Sequence, residues 1–117
     1  MAVKPVIVIA SGNDDQRLQP LLHGIEEEQI PYDIRPLETE GSLARIAHEA
    51  AIASPLSVGI AYDQQHIVVH YKNLPEAEPL FNETWGDVQK LRALGADAAR
   101  LVKGVPFKKI EGGTGNE

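Results

Sequence analysis

The sequence predicts a single small α/β domain with a mixed, mostly parallel sheet flanked by helices. Three observations carry this expectation. Val6-Ile7-Val8-Ile9-Ala10 is a continuous, largely β-branched run, as in a strand buried on both faces. Two segments with apolar residues at helical spacing then alternate with short strands, the pattern of crossover units. Finally, the strands Ser57–Tyr62 and His66–Tyr71 are separated only by Asp63-Gln64-Gln65. Such a link closes a hairpin and is too short for a parallel crossover, so this pair is antiparallel.

The first strand ends at Ser11-Gly12-Asn13. A helix follows from about Gln16 to Glu28, capped by Asp14 or Asp15, with Leu18, Leu21, Leu22 and Ile25 on one side. Pro20 fits it only if the first turn begins late. Tyr32–Pro36 is a short second strand, and Gly41-Ser42 opens a second helix through Ala53, stopped by Ser54-Pro55. In that helix Leu43, Ile46, Ala47 and Ala50 recur at helical spacing. A proline-bearing connection from Asn73 to Asn82 follows the hairpin and leads to a third helix, from about Trp85 to Val102. Val88, Leu91, Leu94, Ala98, Leu101 and Val102 give it an apolar face, Gly95 weakens its middle, and Gly104 ends it. Val105-Pro106-Phe107 then runs extended. The order is β-α-β-α-β-β-α, a single domain over residues 1–110 with a flexible tail over 111–117 rich in Gly112, Gly113 and Gly115.

Composition excludes several functions. The 117 residues carry 11 basic and 17 acidic side chains, a net charge of −6, which disfavours nucleic acid and anionic membrane surfaces as partners. There is no cysteine, so disulfides, thiolate metal sites and cysteine nucleophiles are absent, which suits a reducing cytosol. Apolar runs such as Val6–Ala10 are too short to span a bilayer. Met1-Ala2-Val3-Lys4 leads directly into the first strand without a signal pattern, and the chain is read as cytoplasmic.

The most informative local feature is Gly24-Ile25-Glu26-Glu27-Glu28-Gln29-Ile30-Pro31. Pro31 places the end of the helix near Gln29, so three acids fall in the last turn, where the macrodipole disfavours each by roughly 0.3–1 kcal/mol. Charge set against its local rule points to a use outside the fold. On the helical wheel Glu27 lies opposite the apolar face, with Glu26 and Glu28 flanking it, which makes Glu27 the carboxylate open to an ion or partner. A solvated acidic helix end is the ordinary alternative.

Other candidates are weaker. His23 and Glu27 are i,i+4 and form half of a metal site at most. His66 and His70 share a strand face but lie roughly 13 Å apart, too far to chelate one ion. The loop Ser11–Asp15 with Asp63 faintly suggests an acidic pocket, yet it lacks a phosphate-binding pattern and the hairpin breaks receiver-domain order. Ser11, Ser42, Ser54 and Ser57 lack a nucleophile motif, and Trp85 reads as a core or interface anchor. The residues by themselves describe a non-catalytic domain with an outward-facing acid cluster.

Three segments resemble a known family in order and spacing. They are Gly24–Pro31; Ser54-Pro55-Leu56-Ser57-Val58-Gly59-Ile60-Ala61, continuing through Val68–Pro75; and Ala98-Ala99-Arg100-Leu101-Val102-Lys103-Gly104-Val105-Pro106-Phe107. Together they resemble the small (β) subunit of the diol/glycerol dehydratase-reactivating factor, over roughly residues 5 to 107. The resemblance implies a fold like the dehydratase β subunit and a non-enzymatic role beside a large, actin/Hsp70-like ATPase subunit, as an α2β2 complex. It implies a chaperone-like action on adenosylcobalamin-dependent dehydratase, releasing damaged cobalamin by ATP-dependent subunit swapping. It also implies that Glu27 donates to a Mg²⁺ held mainly by the large subunit. A bacterial microcompartment is one implied setting within the cytoplasm. The rival is a dehydratase medium (β) subunit, against which the short length and lack of extensions argue. Two residues depart from the family pattern: Gln29 stands where glycine is expected, and Ala61 where some members have glycine. Gln29 removes an easy left-handed helix stop and is expected to loosen the aim of Glu27.

Overall fold

A computed structural model of the chain describes residues 5–12 and 15–107. The described residues form two compact units, one of residues 5–12 and 31–84 and the other of residues 15–30 and 85–107.

The first unit is built on β1 (Ile7–Ala10), β2 (Tyr32–Arg35), β3 (Val58–Tyr62), β4 (His66–Tyr71) and β5 (Phe81–Thr84), with one helix, α2 (Leu43–Ala53). Its sheet has the order β2-β1-β3-β4-β5. β1 pairs in parallel with β2 and β3, aligning Ile7 with Tyr32 and Ile9 with Ile60. The expected antiparallel hairpin forms between β3 and β4, with Ile60 opposite Val69. The sheet is therefore mixed as expected, but evenly so, because β5 adds a second antiparallel pairing, Val69 to Phe81. β5 falls within and after the stretch expected to be a connection. Asn and Glu are poor strand formers, and here the pairing with β4 decides.

β1 is buried through Val8 on both faces, as its composition requires. Val6 and Val8 pack with Ala50 of α2, and Ala61 and Val68 pack with Ala47. α2 lies so close to β3 that a Cβ on Gly59 would overlap the backbone of Ala51 and Ala47. Ser42 caps the helix by accepting from the Arg45 amide at 3.1 Å. Ser54 ends it and turns inward, its buried hydroxyl donating to the Val6 carbonyl at 2.7 Å.

The second unit contains a 3₁₀ turn over Gln16–Leu18, α1 (Gln19–Glu27) and α3 (Val88–Lys103). The Asp15 side chain caps the turn at the Arg17 amide; the other expected cap, Asp14, lies outside the described residues. Pro20 sits in the first turn of α1, where its missing N–H costs nothing, so the late start required by the sequence is what occurs. α3 begins three residues later than expected, where Asp87 accepts from the Lys90 amide at 2.8 Å.

Gly95 does not split α3. A Cβ there would overlap the Leu21 carbonyl of α1, and one on Gly24 of α1 would overlap the Arg92 carbonyl of α3. The two glycines let the helices cross backbone to backbone. Gly104 closes α3 in the left-handed conformation at φ 72°, its amide donating to Arg100. Val105–Phe107 follow without regular structure, and the tail expected over 111–117 lies outside the described residues.

Candidate functional site

The acidic triplet closes α1. Glu27 is the last helical residue and Glu28 the C-cap, and the chain then reverses through Gln29, whose φ is 63°. The left-handed stop expected to be lost with glycine is thus retained by glutamine, supported by the bond from the Gln29 amide to the Glu26 carbonyl at 2.9 Å. A non-glycine side chain in this region carries a steric cost of roughly 1–2 kcal/mol.

The three acids have different surroundings. Glu28 turns toward α3, where its side chain is only 10% exposed between two cations. Lys103 Nζ donates to Glu28 Oε1 at 2.7 Å and to its backbone carbonyl at 3.2 Å, and Arg100 Nε donates to Oε2 at 3.1 Å. The Lys103 hydrogen bond, with the charge of Arg100 behind it, holds the Glu28 carboxyl below its ordinary pKa. Lys103 also satisfies one of the carbonyls that every helix end leaves open. This charge, set against its dipole, therefore serves the fold itself, whereas charge set against its local rule pointed to a use outside it.

Glu27 is different. Its side chain is 37% exposed and pairs with Arg92 of α3, whose own side chain is 49% exposed. The wheel kept Glu27 out of the core, as observed, but gave no sign of Arg92, because it describes one helix and not its neighbour. The carboxylate raises the pKa of the Arg92 guanidinium above its ordinary value through this hydrogen bond. Gln89, Ala93, Glu27 and Arg92 line a shallow, open groove of about 360 Å³. Glu26 is exposed.

The partners of the triplet carry a signal in the sequence. Arg92, Arg100 and Lys103 recur on α3 at spacings of eight and three, which aligns cations along one side of a helix.

A hard divalent cation takes carboxylate oxygens at an accessible site and keeps several waters. Glu27 suits such an ion as a single donor. Among the described residues, no group of three or more His, Asp or Glu side chains is placed to hold a metal. Any ion at Glu27 would draw its remaining ligands from elsewhere. His23 lies exposed on α1 one turn before Glu27.

The other candidates serve structure. His70 is fully buried; its Nε2 donates to the Glu76 carbonyl at 2.9 Å while its Nδ1 accepts from the Tyr71 amide at 2.9 Å. Its ring lies 4.7 Å from that of His48, whose Nε2 donates to the Lys72 carbonyl at 3.1 Å, so the pair pins the connection after β4. Asp63 accepts from the amides of Gln65 and His66, each at 2.8 Å, and these bonds hold its carboxyl below the ordinary pKa. It is the cap of the hairpin turn. Arg17 stacks on Trp85 with its guanidinium carbon 4.4 Å from the ring centre. Ser11 and Tyr62, at the ends of β1 and β3, share a hydrogen bond of 2.7 Å.

No helix among the described residues is long and apolar enough to cross a membrane.

Comparison with known proteins agrees with this architecture. Residues 4–108 match the family model described as dehydratase medium subunit. The chain is 47% identical over 108 residues to the propanediol dehydratase-reactivating factor small subunit of Salmonella typhimurium, covering 91% of this chain and 92% of that protein. It is also 47% identical over 109 residues to the diol dehydratase-reactivating factor small subunit of Klebsiella michiganensis, covering 91% and 86%. Among solved structures, it resembles the diol dehydratase-reactivating factor complexed with ADP and Mg²⁺ with a TM-score of 0.82 and 46% identity, covering 90% of this chain and 98% of that one. A glycerol dehydratase reactivase gives a TM-score of 0.79 at 28% identity, covering 92% and 98%. The chain belongs to the dehydratase medium subunit family and, within it, to the small subunits of diol/glycerol dehydratase-reactivating factors.

Proposed function

We propose that this chain is the non-catalytic small subunit of a reactivating complex, paired in an α2β2 assembly with a large ATPase subunit in the cytoplasm. The complex acts on adenosylcobalamin-dependent diol or glycerol dehydratase that has lost its intact coenzyme. The small subunit leaves its partner, the dehydratase β subunit takes its place, and damaged cobalamin is released. Likeness of fold between the small subunit and the dehydratase β subunit makes such an exchange chemically simple, because both present similar surfaces to one partner. The carrying observation is the 47% identity to reactivating-factor small subunits over 91% of the chain.

In this reading Glu27 lends one carboxylate oxygen to a Mg²⁺ whose other ligands belong to the large subunit. The exposure of Glu27 at the end of α1 supports this, as does the Mg²⁺ named with the related complex. The bound ion would supply charge neutralisation between the subunits; Glu27 supplies the anionic oxygen and α1 its position.

Co-expression with large reactivase subunits, followed by size-exclusion chromatography, tests the pairing. A reactivation assay on glycerol-inactivated dehydratase tests the activity. A co-eluting complex that restores activity with ATP is expected. Pairing with a dehydratase catalytic subunit, and none with the ATPase subunit, would overturn the assignment. Glu27→Ala is expected to keep the fold and to weaken association when Mg²⁺ is present. Equal affinity with and without Mg²⁺ in the parent protein would remove the metal role.

A further inference from the structure

We infer that Arg92 is a latch on Glu27: its charge competes with the divalent cation for the same carboxylate, so the Glu27–Arg92 pair opposes cation-dependent assembly. This rests on the reading of Glu27 as a metal ligand and adds the residue that regulates it.

The two neighbouring acids show why one can exchange partners and the other cannot. Glu28 is 10% exposed and clamped by Lys103 and Arg100, one of which also holds its backbone. Releasing it would leave a half-buried carboxylate and an open helix end. Glu27 and Arg92 are 37% and 49% exposed, and a groove lined by Gln89 and Ala93 opens beside them. Both groups can be rehydrated as they separate. Exposed pairs of this kind are weak and exchange readily.

A guanidinium on this carboxylate takes up part of one oxygen and weakens its attraction for a dication. The pair joins Arg92 Nη2 to Glu27 Oε2, so an ion on that oxygen would lie about 4 Å from the guanidinium. Two charges of +1 and +2 at that distance repel even in water, and more strongly once a partner excludes solvent. Swinging Arg92 away relieves that repulsion. Its long side chain and the open groove allow that without moving α3, whose backbone is fixed against Gly24.

The latch also gives Arg92 a purpose when the subunit is alone. It offsets the charge of a carboxylate placed at the negative end of α1. Without the cation the pair favours Arg92 on the Glu27 carboxylate.

The test measures association of the full chain with its large subunit by titration calorimetry across Mg²⁺ concentrations. Arg92→Gln and Arg92→Met remove the charge, Arg92→Lys keeps it, and thermal melts verify that each variant folds. The two uncharged variants are expected to lower the Mg²⁺ concentration for half-maximal association about two- to five-fold. Arg92→Lys is expected to stay near the parent value. An unchanged or raised requirement in both uncharged variants, with Glu27→Ala still abolishing the Mg²⁺ dependence, overturns the latch and leaves the metal role standing. A Glu27→Ala protein with the parent's Mg²⁺ dependence overturns both.

Discussion

Gly95 of α3 lies directly against the Leu21 carbonyl of α1, with Ile25 N only 3.2 Å from where a Cβ would stand. Helix propensity alone would favour alanine at this position by about 1 kcal/mol. The contact reverses the sign. The neighbouring atoms are backbone, which cannot give way as a flexible side chain does, and overpacking typically costs 1–3 kcal/mol. Gly95→Ala is expected to destabilise the protein by about 2 kcal/mol, read as a lower urea midpoint; a raised midpoint would show that the helices can part freely.

Gln29 provides the opposite case. It holds φ 63° where glycine would be unstrained, and its side chain is exposed. Gln29→Gly removes roughly 1–2 kcal/mol of strain and returns part of it as unfolded-state entropy. A net gain of about 0.5–1 kcal/mol is expected in thermal or urea unfolding. No gain, or a loss, would mean that glutamine makes a compensating contact.

Glu28 sets a pH dependence. Its carboxyl lies below the ordinary value because Lys103 and Arg100 favour the charged form. A group depressed in the folded state contributes stability above its unfolded pKa and loses it as the pH falls through the folded value. Asp15, paired with Arg17, and Asp63 act in the same direction. Stability is therefore expected to be flat near neutrality and to fall below about pH 4. Glu28→Gln should cost about 1–2 kcal/mol at pH 7 and flatten part of the acid limb in melts from pH 7 to 3. An acid limb identical to the parent's would remove Glu28 from the account.

Ser54 joins two elements in one hydroxyl. It donates to Val6 and accepts from the Leu56 amide at 3.0 Å, while its residue is 4% exposed. Ser54→Ala leaves both backbone groups without that partner, at an expected cost of about 1–3 kcal/mol. Chemical denaturation measures it, and a change below about 0.5 kcal/mol would indicate that water replaces the hydroxyl.

How much of the site was legible can be judged from the triplet itself. Helical periodicity identified Glu27 as the outward carboxylate, and Pro31 located the end of the helix; both depend on local geometry, which the sequence carries directly. The same reasoning left Glu26 and Glu28 alike, as residues flanking Glu27. It could not distinguish Glu28, because the cations that bury it come from a helix more than 70 residues away. β5 was missed for a related reason: Phe81-Asn82-Glu83-Thr84 has weak strand character, and its conformation is imposed by β4.

The sequence by itself determined the β-branched strand, the hairpin forced by a three-residue link, the helix stops at Pro31 and Gly104, and the family resemblance. Each depends on residues near one another in the chain, where sterics and periodicity act without help. Only the tertiary structure decided that Gly24 and Gly95 mark a helix crossing, that Gln29 adopts the left-handed stop, and that Arg92 holds Glu27 while Lys103 and Arg100 hold Glu28. Those outcomes depend on which distant backbone and which charge arrive at a given place, and packing settles that.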